Sequence, residues 1–148
     1  MTMSMHAARS NSTWKNAVVY QIYPWTFAED SSREPQLGHG SIRGIEERLP
    51  YLESLGVNAI WLSPFYPSPM VDGGYDISDF KNVHPALGTL EYFDALVKSA
   101  HELHIRLMVD FIPNHSSDKH EWFERSRRKE DGYDDWYIWH PGHIDEHG

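Results

Sequence analysis

The chain has 148 residues, 14% of them aromatic, with 22 acids against 13 bases and a formal net charge of −9. That balance lacks the basic stripe a nucleic-acid surface needs, and the absence of cysteine removes disulfides, thiolate zinc sites and cysteine nucleophiles. No apolar run approaches the roughly 18 residues of a membrane helix, and "MTMSMHAARSNST" has no apolar signal core, so a soluble cytoplasmic protein is expected.

In chain order, residues 1–13 read as a flexible tail. "AVVYQIY" (17–23) is a short, little-alternated apolar run of the kind buried parallel strands show. Pro24 and Trp25 follow it directly, and Trp25 by itself reads as packing. Ile42, Ile45, Leu49, Leu52 and Leu55 recur at three and four residues, which predicts one helix stopped by Gly56. "VNAIWLS" (57–63) predicts a second strand. Phe93, Leu96, Val97, Ala100 and Leu103 predict a second helix opened near Thr89, and "IRLMVDF" (105–111) a third strand. Beyond it, "KHEWFERSRRKED" (119–131) holds a short helix and "DDWYIWHP" (134–141) reads as an extended aromatic segment.

Strand, helix, strand, helix, strand is the order of a parallel α/β sheet. The connections are unequal. Helices run into strands through a few residues, while strands leave through long segments at 24–41, 64–88 and from 112 onward. Long segments after the carboxyl ends of strands are where α/β barrels build their sites.

Two of those segments carry chemistry. At "DFIPNH" (110–115), Asp110, Asn114 and His115 arrive where a strand gives way to a loop. A turn cap, a metal site and a substrate contact all use these groups. In "SPMVDGGYDISDF" (68–80), Gly73 and Gly74 allow a sharp turn, with Asp72, Tyr75, Asp76 and Asp79 around it. An aromatic face beside carboxylates suits a sugar, and a solvated acidic turn uses the same residues. His101 and His104 share a helical face, and His143 and His147 flank Glu146, but neither group has the ligand count zinc needs. No metal or cofactor is expected.

Together, "VVYQIYP", "YLESLGVNAIWLSPFYPSP", "GGYDISDF", "DFIPNHSSDKHEWF" and "DWYIWHP" resemble the alpha-amylase family of glycoside hydrolases, in its alpha-glucosidase and oligo-1,6-glucosidase branch. The resemblance covers about residues 14–141. It implies the N-terminal part of a (β/α)8 TIM barrel, with about three strands and two helices over 14–111, and the start of a domain inserted after the third strand over 112–148. It also implies retaining hydrolysis of alpha-glucosides by two carboxylates. Asp72 and Tyr75 match the family's acid and aromatic for the non-reducing glucose, and His115 a histidine donating to a glucose hydroxyl. Asp110 matches the acid ordering that corner. Asn114 and Asp76 match structural supports.

The family's metal-binding loop has as its counterpart "AEDSSREPQLGHGSIRG" (28–44), which lacks alternating ligands, so no cation is expected there. The nucleophile and general acid follow later strands in the family, so no catalytic residue is assigned. The implied partner is an alpha-glucoside oligosaccharide or disaccharide, with the rest of the barrel required. Transferase, isomerising and non-catalytic scaffold relatives share these motifs and stay open.

Overall fold

The computed structural model describes residues 13–32 and 38–142. The chain divides into two compact units: unit 1 is 1–65 with 83–110, and unit 2 is 66–82 with 111–148. The tail expected at 1–13 lies outside the described residues except for Thr13, which opens a short 3-10 turn, Thr13–Asn16. Among the described residues no helix is long and apolar enough to cross a membrane.

Unit 1 holds a three-stranded parallel sheet of β1 (Val19–Ile22), β2 (Ala59–Leu62) and β3 (Arg106–Val109), in the order β1-β2-β3. Val19 pairs with Ala59, and Ala59 with Arg106. This is the (β/α) repeat expected from the sequence. Ala59, Ile60 and Leu62 of the central strand are completely buried, which is why β2 reads as an unbroken apolar run. The outer strands are thinner: Val19 and Val109 stay 43% and 42% exposed.

Parallel neighbours need a crossover, and helices supply both. After β1 comes a single helical turn, α1 (Pro24–Phe27). The first crossover departs from expectation, because the single helix predicted over 42–55 is two, α2 (Ile42–Glu47) and α3 (Leu49–Ser54). Pro50 has no N–H to give the carbonyl four residues back and its ring crowds that carbonyl. The chain tightens instead, with Arg48 N–H bonded to the Ile45 carbonyl at 3.1 Å. The apolar phase survives the break, so Ile42, Ile45, Leu49 and Leu52 are buried. Leu55 falls beyond α3 and is 51% exposed.

Ser41 caps α2, its hydroxyl accepting from Gly44 N–H at 2.9 Å. Gly44 itself has no room for a side chain, since a Cβ there would sit 2.2 Å from the Ala28 carbonyl oxygen. The second crossover, α4 (Leu90–Glu102), opens at Thr89 as expected, the hydroxyl accepting from Tyr92 N–H. It closes with His104 in the left-handed region at φ 57, Ile105 N–H on the Ala100 carbonyl and His104 N–H on the His101 carbonyl. That pairing engages the Ala100 and His101 carbonyls near the helix end and gives His104 a backbone role.

Unit 2 has no strand among its described residues. Its helix, α5 (Glu121–Arg127), falls inside the stretch expected to hold one. The extended segment expected at 134–141 is not formed: turns and bends occupy 131–137, followed by irregular backbone. Tyr133 N–H bonds the Glu130 carbonyl at 2.9 Å, and Trp136 N–H the Tyr133 carbonyl at 3.2 Å. The aromatic residues fasten this turn, with Tyr133 stacked on Trp136 at 4.7 Å and Arg125 over Tyr133 at 3.7 Å.

Candidate functional site

The stretch 68–76 in unit 2 is organised around one carboxylate. Asp76 accepts from the Ser68 hydroxyl at 2.7 Å, from Val71 N–H at 3.0 Å and from Asp72 N–H at 3.1 Å. Burial alone would raise its pKa, but the bonds from Ser68 and the two amides outweigh it and hold the carboxyl below the usual 3.8. Gly73 and Gly74 take φ of 60 and 101, so the chain reverses there without a Cβ penalty. Tyr75 N–H closes the turn on the Asp72 carbonyl at 3.0 Å. The result presents Asp72 and Tyr75 at the surface, Tyr75 at 36% exposure.

The same turn is held from 40 residues away by His115, whose Nε2 lies 3.1 Å from the Tyr75 carbonyl oxygen. A carbonyl only accepts, so Nε2 carries the proton. Nδ1 then accepts from the Asn114 side-chain amide at 3.1 Å. Both edges of the ring are therefore engaged within the protein. The structure thus brings together Asp72, Tyr75, Asp76, Asn114 and His115.

Asn114 and His115 also line a cleft of about 780 Å³ in unit 2. Its walls are aromatic, from Tyr66, Phe80, Trp122, Phe123, Trp136 and Tyr137, and neither Asp72 nor Tyr75 contributes to them. Asp79 braces the neighbouring turn by accepting from the Asn82 amide at 2.6 Å and from Lys81 N–H at 2.8 Å. The Asn82 bond is the main reason its carboxyl lies below the ordinary range.

Asp110 belongs to unit 1, immediately after β3. It accepts from the indole N–H of Trp61 at 2.5 Å, and its own N–H bonds the Leu62 carbonyl. Sequence reasoning missed Trp61. The available signal was a single indole inside an otherwise aliphatic strand, since a partly buried Trp N–H seeks an acceptor. Trp25 packs against two imidazoles of unit 1, with ring centres 4.8 Å from His84 and 5.5 Å from His39.

No group of three or more His, Asp or Glu able to hold a metal occurs among the described residues. In the 28–44 stretch, Asp30 accepts from Ser32 and lies 3.8 Å from the Arg43 guanidinium. Residues 33–37 of that stretch, and His143, Glu146 and His147, lie outside the described residues.

A family model for the alpha amylase catalytic domain matches residues 21–148. The chain belongs to the alpha-amylase family. Among its relatives, maltase 1 of Drosophila virilis is 52% identical over 129 residues, covering 87% of this chain and 20% of the maltase. The oligo-1,6-glucosidase of Bacillus cereus is 48% identical, covering 87% and 23%. A solved alpha-amylase-family structure, the trehalulose synthase of Pseudomonas mesoacidophila, superposes with a TM-score of 0.80 at 48% identity, over 87% of this chain and 23% of that one. The chain therefore spans about a fifth to a quarter of the length of these glycoside-hydrolase-family relatives.

Proposed function

We propose that this chain forms part of the glucose pocket of a retaining alpha-glucosidase acting on short alpha-glucans or disaccharides. The observation that carries the reading is the locked Tyr75 turn, in which an exposed phenol ring and the Asp72 carboxylate sit on a backbone held by Asp76 and His115. Tyr75 would stack on a sugar face and Asp72 would accept from its hydroxyls. Asp110 of unit 1, which accepts from the Trp61 indole, is the acid that the resemblance assigns to ordering the substrate end of its own strand. A hydroxyl reaching His115 must displace the Asn114 amide or the Tyr75 carbonyl, so in this reading the histidine first shapes the pocket and then donates. Residues 14–111 belong to the barrel in this reading, residues 112–148 begin its inserted domain, and the protein is cytoplasmic.

Labelled chain titrated with maltose or isomaltose is expected to show amide shifts at Asp72 and Tyr75, weakened about fivefold in Tyr75→Ala, the loss of one stacking contact. Equal shifts with a beta-linked disaccharide would overturn the assignment. The resemblance assigns the bond-breaking carboxylates to later strands, so the 148-residue chain alone is expected not to hydrolyse a nitrophenyl alpha-glucoside. Turnover by the purified chain would refute that. A transferring or isomerising enzyme is the second reading, because a trehalulose synthase variant solved with its substrate sucrose is 46% identical to this chain.

A further inference from the structure

We propose that His120 is a pH-responsive latch in unit 2: its neutral ring caps α5, and protonation releases the helix start and loosens the aromatic wall of the cleft. The residue is only 6% exposed. Its Nδ1 accepts from Trp122 N–H at 3.1 Å, a bond that a nitrogen already carrying a proton cannot make. Once protonated the ring has no second acceptor to offer, since both imidazolium nitrogens carry a proton. It packs against Trp122 at 4.3 Å and Phe80 at 5.5 Å between ring centres. The backbone on either side is pinned as well, His120 N–H on the Ser117 carbonyl and Glu124 N–H on the His120 carbonyl, both at 3.1 Å.

The charges around the ring oppose one another. Burial disfavours the cation, while Asp79 from the 78–82 turn and Glu121 on the helix favour it. Asp79 is tied to Asn82 and Lys81 N–H rather than to the ring. Asp118 and Lys119, on the preceding turn, form an exposed pair with each other at 2.8 Å. Burial prevails, so the folded pKa lies below the ordinary 6.5. Unfolded chain then binds the proton at higher pH than folded chain. The stability tied to the neutral ring is whole above 6.5 and is lost as pH falls through the folded value. Trp122 and Phe123, in the first turn behind the cap, line the cleft, so losing the cap acts on its wall. The latch is independent of any sugar.

Labelled chain followed from about pH 7.5 to about pH 5 tests this. The Trp122 amide is expected to shift upfield as His120 Hε1 shifts downfield, both with one midpoint below 6.5. Its exchange, corrected for the intrinsic rate, should quicken about fivefold, as for loss of one cap. His120→Asn retains an acceptor that does not titrate, and its Trp122 amide should stay flat over the same range. A His120 midpoint at or above 6.5, or an unchanged Trp122 transition in His120→Asn, would overturn the latch. If His120→Asn does not fold, the coincidence of the two wild-type titrations decides: separate midpoints sink the proposal.

Discussion

Unit 1 and unit 2 are ordered by different forces. In unit 1, Ile42, Ile45, Leu52, Ile60, Leu62 and Leu96 are completely buried, and the parallel sheet supplies regular partners for its backbone. In unit 2, Ile77 is the one fully buried aliphatic side chain among the described residues. Rings and carboxylates take over there: Asp76 and Asp79 each gather a turn, and Phe80, His120, Trp122 and Trp136 touch in sequence. Aliphatic burial depends on volume and is indifferent to pH. Turns gathered by charged groups depend on protonation and on single hydrogen bonds. The loop-rich unit, which carries most of the candidate site, is thus the more sensitive of the two to polar substitution.

The contrast can be broken from either side. Leu62→Ala should cost the most, about 3 kcal/mol in guanidinium denaturation, because it leaves a cavity in the middle of β2. A loss below about 1 kcal/mol would mean that volume does not govern unit 1. Gly44→Ala should cost about 2 kcal/mol, although alanine usually strengthens a helix, since the new Cβ meets the Ala28 carbonyl. A stabilised variant would show that α2 can shift away. Asp76→Asn should cost about 1.5 kcal/mol through weakened bonds to Ser68, Val71 and Asp72. It also carries a pH signature. Because the folded carboxyl lies below 3.8, its contribution is present above 3.8 and lost as pH falls through the folded value. Asp76→Asn should flatten that part of the acid limb in near-ultraviolet circular dichroism, and an unchanged limb would remove Asp76 from the account. Thr89→Ala should have the smallest effect, about 1 kcal/mol in the same denaturation assay, for the lost cap of α4.

Unit 1 was largely legible. Its strands announced themselves as apolar runs, and Thr89 marked a helix start, because these are local signals repeated over a few residues. The split at Arg48 was legible too, in Pro50, but an unbroken Ile/Leu spacing concealed it. In both units the sequence named candidate residues without their contacts. His115 meets the Tyr75 carbonyl across 40 positions, and Trp61 meets Asp110 across 49. Neither partner follows from spacing, since tertiary packing decides both. The 134–141 stretch was misread because aromatic residues favour strands and ring-fastened turns alike, and only the contacts of Tyr133 and Trp136 separate the two.

The bond from His115 to the Tyr75 carbonyl has a thermodynamic consequence. With the backbone of Tyr75 held at both ends, much of the backbone freedom a flat ligand would have to take from that turn is already gone in the unliganded protein. Calorimetry would see this as a smaller unfavourable entropy of binding in the parent chain than in His115→Ala, with the enthalpy of stacking nearly the same. The histidine would then set the affinity of the Tyr75 surface before it donates to any ligand itself.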